Sequence, residues 1–298
     1  DSGHTAMANR ALSYFAKGAY LKELLEGVTF YEFANELLKN FDSKYDEICE
    51  KLQAALHAVA KSQNLMISYT GMDDIHDTLD KALLSLKKYM NEDTTDIEEQ
   101  EFDIVVKNEG FKTASKVQYV SQAGRFLKDG EEYNAALNVL QVIFSYDYLW
   151  NNVRVKNGAY GCMCGFSRIG DGYFTSYRDP NLKKTYEVYK NAPEYVKNFE
   201  ASDRDMLKYI IGAVGTFDFP KSPANKGYRA LNAYLCNRTV ADYQYEKAQL
   251  INTTKNDIKG LVAYVEAIVL QNNLCVIGNE KKIEEAKALF KEAKPLFK

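Results

Sequence analysis

The spacing of apolar positions predicts a run of helices followed by locally paired strands. Residues 7–25 carry Ala11, Leu12, Phe15, Tyr20, Leu21 and Leu24 at helical intervals. Thr29 stands where an N-cap belongs, ahead of Phe30, Phe33, Leu37 and Leu38. Ser43 opens a third helix whose stripe is Tyr45, Ile48, Leu52, Leu56 and Val59. Leu65–Tyr69 is a short apolar run that predicts a buried strand, and a helix follows over 73–88. Beyond 102 the period changes to two. Phe102–Val106 and Lys116–Val120 predict strands, and 131–148 predicts a helix with Ala135, Leu137, Leu140, Val142, Ile143 and Tyr146. Residues 158–166 and 172–178 predict a hairpin, because Gly170-Asp171 supplies the conformational freedom a tight turn needs. Pro180 behind Asp179, and Ser202 with Asp205, mark two further helix starts.

The pattern also repeats. Arg10-Ala11-Leu12 with Tyr14-Phe15 returns as Arg229-Ala230-Leu231 with Tyr234-Leu235. Asn64-Leu65-Met66-Ile67-Ser68-Tyr69-Thr70-Gly71 returns as Asn273-Leu274-Cys275-Val276-Ile277-Gly278. The second copy has a long segment, 102–228, ahead of its Arg-Ala-Leu element, and the first has none. The expected organisation is therefore the incomplete rear part of one domain over 1–90, an acidic linker over 91–101, and a complete domain over 102–298. The first copy would expose apolar surface that its leading strands would otherwise cover. Local strand pairing with clustered helices predicts an α+β fold, a two-layer sandwich of mainly antiparallel sheet covered by helices, occurring nearly twice. The chain then reads as part of a longer protein.

Composition narrows the function classes. Hydrophobic residues at 46% and charged residues at 27% give a globular protein with a real core. The net charge of −3, with both signs interspersed, sets up no field for nucleic acid or an anionic membrane. No apolar run is long enough for a spanning helix. Cys49, Cys162, Cys164, Cys236 and Cys275 are odd in number and mostly sit in apolar segments. They predict free thiols in a reducing compartment, the cytoplasm, although a partial chain says nothing of the parent's leader. Cys162 and Cys164 lie on one side of a strand and read as small hydrophobes rather than a metal knuckle.

Catalytic chemistry is thin. His4, His57 and His76 are far apart, without a second imidazole or a carboxylate at metal-ligand spacing. There is no Ser-His-Asp or Cys-His pairing and no phosphate-binding glycine loop. What remains is Val153–Cys162, where Arg154 and Tyr160 flank Asn157-Gly158. An Arg fork and a phenol could together hold a peptide carbonyl, or the oxyanion formed when water attacks it. By spacing alone, a surface arginine and a half-buried hairpin tyrosine is the plainer reading.

The run Val153-Arg154-Val155-Lys156-x-Gly158-Ala159-Tyr160-Gly161 resembles the presequence-protease branch of the insulinase/pitrilysin metallopeptidases. So do Ser176–Asn181, Pro193–Phe199, Tyr209-Ile210-Ile211-Gly212, Ser222-Pro223-x-x-Lys226-Gly227 and the opening Ala8–Phe15. The resemblance implies four similar α+β domains closing around unfolded peptides, this chain being the rear of the third plus the fourth. Its implied partners are the N-terminal half of the same protein and unfolded peptide substrates. Zinc and the general-base Glu would sit in the first domain on an inverted His-x-x-Glu-His motif, so this chain carries no metal ligand. The corresponding helix here, 133–150, offers only Asn134, Asn138 and Asp147. Arg154 and Tyr160 match the residues that reach the substrate carbonyl. Tyr177 and Arg178 match a motif that serves either substrate binding or turn anchoring. The implied function is the non-metal-binding C-terminal half of a zinc-dependent endopeptidase; the alternative is a non-catalytic scaffold subunit of the same fold.

Overall fold

A computed structural model describes residues 2–72, 75–92 and 101–297. Most of the acidic linker expected over 91–101 lies outside the described residues. The chain divides into two compact units, one of 1–31, 102–219 and 244–298, the other of 32–101 and 220–243. These units follow contacts, and they cut the chain differently from the boundaries 1–90 and 102–298 drawn from the repeat.

The larger unit is built on a six-stranded sheet of β1 (Glu109–Thr113), β2 (Tyr119–Arg125), β3 (Gly161–Phe166), β4 (Asp171–Tyr177), β5 (Asn273–Asn279) and β6 (Glu292–Pro295). The strand order is β3-β4-β2-β5-β1-β6. The three pairings from β3 to β5 are antiparallel, whereas β1 runs parallel to both β5 and β6. The expected α+β architecture with a mainly antiparallel sheet is what forms. The hairpin is close to its expected bounds, with Gly170 at φ +89 and the Ser167 amide donating to the Asp171 carbonyl.

Alternation along the strands separates two cores. Val120, Phe174, Leu274 and Val276 face a large cluster with Leu137, Leu140, Ile143 and Phe144. That cluster also takes residues from the helices Lys183–Lys190, Ala192–Lys197, Asp203–Phe217 and Val262–Leu270. A Cβ on Gly124 would meet the Ile268 backbone at 2.6 Å, so glycine is what lets the Val262–Leu270 helix approach β2 closely. The opposite face is covered as well. Helix α1 (Gly3–Leu12) packs there, and Met7, Ala11 and Tyr14 join Phe111, Ala123 and Cys275.

Several expectations shift in place. The helix expected over 7–25 breaks at residues 13–16 into α1 and α2 (Lys17–Glu26). Thr29 lies inside α3 (Val28–Lys39) rather than capping it, because its hydroxyl accepts from Arg10 Nη1 at 2.6 Å. Phe102–Val106 forms no strand; β1 begins after Asn108, at the polar residue Glu109. Pro180 does not start a helix, because Asp179 is bridged to Gln118, and the next helix begins only at Lys183. The Ser202 cap forms as expected and accepts from the Asp205 amide.

In the smaller unit, Leu65–Tyr69 is neither a strand nor buried. No described segment pairs with it in a ladder, and an isolated strand is not stable in water. Helix α4 (Phe41–Val59) buries none of its residues, and Leu52, Leu56 and Val59 lie exposed. Exposure of the first copy therefore holds for this helix and fails for α1.

One buried network joins the leading helices to the sheet. Arg10 grips Glu109 with two parallel bonds, Nε to Oε2 at 2.7 Å and Nη2 to Oε1 at 2.9 Å. Its Nη1 donates to Glu23 Oε1 at 2.8 Å, and the Tyr14 hydroxyl donates to Glu109 Oε2 at 2.9 Å. All three charged side chains are almost fully buried. Burial alone would raise the Glu109 pKa, but the bonds and charge of Arg10, with the Tyr14 bond, hold it below the usual range.

Arg10→Met would strand two buried carboxylates, a loss of about 3–5 kcal/mol. Chemical denaturation should show a fall of that order, against a small change for an exposed control such as Lys208→Met. Because the folded pKa of Glu109 is depressed, its contribution is present above the unfolded value of about 4.3 and is lost as pH falls through the folded value. Glu109→Gln should flatten the acid limb of the stability curve below about pH 4.3. An unchanged acid limb contradicts this assignment.

Candidate functional site

The helix that leads to the site is longer than its apolar stripe suggests. After the helix Ala136–Ile143 the backbone widens into two π-helical segments, Phe144–Tyr148 and Trp150–Val155, a geometry that often marks functional positions. Phe144, Leu149 and Val153 anchor these turns in the core, and Tyr146, Trp150 and Val155 point away from it.

A tight turn then brings the chain back into β3. The Gly158 amide donates to the Arg154 carbonyl at 2.8 Å and that of Ala159 to Val153 at 3.1 Å. Gly158 has φ +80, a conformation open to glycine at no steric loss. The turn is held from outside by the end of β4. Asn181 Nδ2 donates to the Asn157 carbonyl at 2.6 Å, and the Tyr160 amide donates to the Tyr177 carbonyl at 3.1 Å.

Asp179 organises that support. It is fully buried, and its carboxylate accepts from the Asn181 amide at 2.8 Å and the Thr185 hydroxyl at 2.6 Å. Its own amide and carbonyl pair with Gln118. Burial pushes its carboxyl pKa up, opposed by the hydrogen bonds it receives. Sequence reasoning took Asp179 for a helix cap and missed this role; the Ser176–Asn181 motif was the signal available.

The four candidate residues come together. Tyr160 is 64% exposed, and its hydroxyl has no hydrogen-bond partner among the described residues. Its ring stands edge-on to Tyr177 at 5.8 Å, and the Arg154 guanidinium lies over the Tyr160 ring, 5.6 Å from its centre. Arg154 Nη1 donates to the Tyr160 carbonyl at 2.6 Å. The Arg178 guanidinium lies 5.4 Å from the Tyr177 ring, and Arg178 takes φ 48, uncommon for a residue with a side chain. Tyr177 also meets His4 at 4.9 Å and Tyr119 at 5.8 Å. An exposed phenol on a braced turn, beside a fixed guanidinium, can offer hydrogen bonds to a carbonyl oxygen.

The neighbouring thiols are inert by environment. Burial pushes Cys162 up to about 11, the charge of Arg154 countering and that of Asp179 adding to it, and burial likewise raises Cys164. Both belong to the apolar core, and all five cysteines are free.

Among the described residues no group of three His, Cys, Asp or Glu side chains could hold a metal ion. On the helix that corresponds to the expected metal-bearing one, Asn138 Nδ2 is spent on the Ala135 carbonyl. Both Asp147 oxygens accept bonds, from Asn151 and Tyr195, each at 2.8 Å. This donor set does not fit zinc.

The sequence profile of the PreP C-terminal domain matches residues 108–280. Protein HypA of Clostridium perfringens (strain 13) is 38% identical over 100% of this chain and 30% of its own length. Presequence protease 1, chloroplastic/mitochondrial, of Arabidopsis thaliana is 24% identical over 96% of this chain and 27% of its own length. Among solved structures, a peptidase M16 inactive domain from Pseudomonas fluorescens superposes with a TM-score of 0.47 at 15% identity, over 74% of this chain and 50% of that one. The chain thus spans less than a third of the length of these two curated relatives. Matched over more than half its residues, it belongs to the PreP C-terminal domain family, in the presequence-protease branch of the insulinase/pitrilysin peptidases.

Proposed function

We propose that this chain is the non-metal-binding C-terminal part of a zinc-dependent endopeptidase that degrades unfolded peptides. It supplies chamber wall and, through Tyr160 and Arg154, hydrogen bonds to the substrate carbonyl. The observation that carries this reading is the exposed, unpartnered Tyr160 hydroxyl on a turn braced by Asp179 and Asn181. Zinc, bound by the N-terminal half of the parent, would supply the activated water. This chain's residues bind and orient. As the attacked carbonyl gains negative charge, the phenol and guanidinium donors strengthen, which stabilises the transition state more than the bound peptide. Tyr177 buttresses the Tyr160 ring, and Arg178 beside it serves the turn. The buried free thiols suit a reducing compartment, the cytoplasm.

In the full-length parent, Tyr160→Phe removes one hydroxyl and keeps the ring. Turnover of an unstructured peptide should fall about a hundredfold, the effect of losing one oxyanion donor (~3 kcal/mol), with zinc content and unfolding temperature unchanged. If Tyr160→Phe and Arg154→Ala both stay within about twofold of wild type, the pair is structural. The chain is then a scaffold of this fold.

The 298-residue chain alone should neither retain zinc after dialysis nor cleave a quenched unstructured peptide, since no imidazole or thiolate cluster among the described residues is present to activate water. Stoichiometric zinc with chelator-sensitive cleavage would contradict this.

A further inference from the structure

We propose that Trp150 is a positioning residue for this site, its indole face fixing the Arg154 guanidinium where the substrate carbonyl arrives; the proposal rests on the function given above. Arg154 Cζ lies 4.3 Å from the centre of the Trp150 ring, closer than the 5.6 Å that separates it from the Tyr160 ring. An arginine side chain has many rotamers, and a half-exposed one ordinarily samples several. Here two restraints act on it. The cation is attracted to the electron-rich indole face, and Nη1 is tied to the Tyr160 carbonyl at 2.6 Å. The guanidinium is thereby clamped between Trp150 and the backbone of Tyr160. Its other N–H groups meet no acceptor among the described residues.

The backbone that carries the indole is itself held. Trp150 opens the π-helical segment whose Val153 is fully buried, and its neighbour Leu149 is fully buried too. Trp150 is 39% exposed, although a tryptophan placed for the core would be covered. It is also the only tryptophan in the chain. Its ring lies one helical turn before Arg154, so the pair moves as one piece with the turn that carries Tyr160. Trp150 touches Arg154 and acts through it.

The test uses the full-length protein and a quenched unstructured peptide, with Trp150→Leu, Trp150→Phe, Arg154→Ala, the Trp150→Leu/Arg154→Ala double variant and Tyr160→Phe. Leucine keeps apolar bulk without a ring face, so folding should survive; unfolding temperature and zinc content are measured for every variant. Trp150→Leu should lower kcat about tenfold with KM within about twofold, the size of a cation–π restraint acting in the transition state. Trp150→Phe should restore at least half of the wild-type rate. In the double variant, Trp150→Leu should add less than about twofold to the loss from Arg154→Ala, because both act through one guanidinium. Losses that multiply, or a Trp150→Leu rate within about twofold of wild type while Tyr160→Phe falls, overturn the role of Trp150 alone. A Tyr160→Phe enzyme with wild-type turnover overturns the carbonyl reading, and this inference with it.

Discussion

The larger unit depends on one buried cation. Arg10 sits between Glu109 on β1 and Glu23 on α2, with Thr29 of α3 completing its donors and Tyr14 completing the acceptors of Glu109. Lys294 on β6 approaches the same carboxylate at 3.6 Å. Three helices and the two strands at one end of the sheet thus converge on one guanidinium. Desolvating such charges opposes folding, and only a fully satisfied geometry offsets it. The arrangement is therefore specific: a helix set down one turn out of register would bury a charge without its partner. It also explains why α1 covers the second face of the sheet instead of leaving it to solvent.

Buried hydrogen bonds brace the candidate site as well. The contacts of Asp179 with Asn181, Thr185 and Gln118 fix the segment against which the Tyr160 turn is braced. Tyr160 can be exposed and still ordered because the order comes from its backbone and from the rings beside it.

Much of this was legible in residue patterns, and the failures share a cause. Helical stripes such as Leu137, Leu140 and Ile143, and the Gly170-Asp171 hairpin, follow from local periodicity and turn chemistry, which need no knowledge of partners. Strand β1 was missed because Glu-Gly-Phe-Lys-Thr does not look like a strand until Arg10, almost a hundred residues upstream, neutralises Glu109. Leu65–Tyr69 looked like a strand because its composition is right, but a ladder takes two sides and no described segment provides the second. Thr29 and Asp179 both stood where caps stand, but Arg10 claims the Thr29 hydroxyl and the Gln118 backbone holds Asp179 in a bridge. Arg154 and Tyr160 stand out as candidates only through the family resemblance, since six residues of spacing cannot reveal that Asn181 and Tyr177 close the turn. Trp150 gave no signal of its own.

The position of β1 has a consequence for the order in which the protein is made. β1 lies between β5 and β6, the last two strands in the chain, so both its neighbours leave the ribosome long after it does. Until then the Glu109 strand has no ladder on either side, although Arg10 has already been synthesised. The leading helices can neutralise the carboxylate early, but they cannot supply the missing backbone partners. Closure of the sheet is thus a late event of high contact order, and such topologies fold slowly. A nascent chain halted before residue 273 would hold its β3-β4-β2 ribbon complete and its β1 edge open, the form in which edge pairing with other chains is the main hazard.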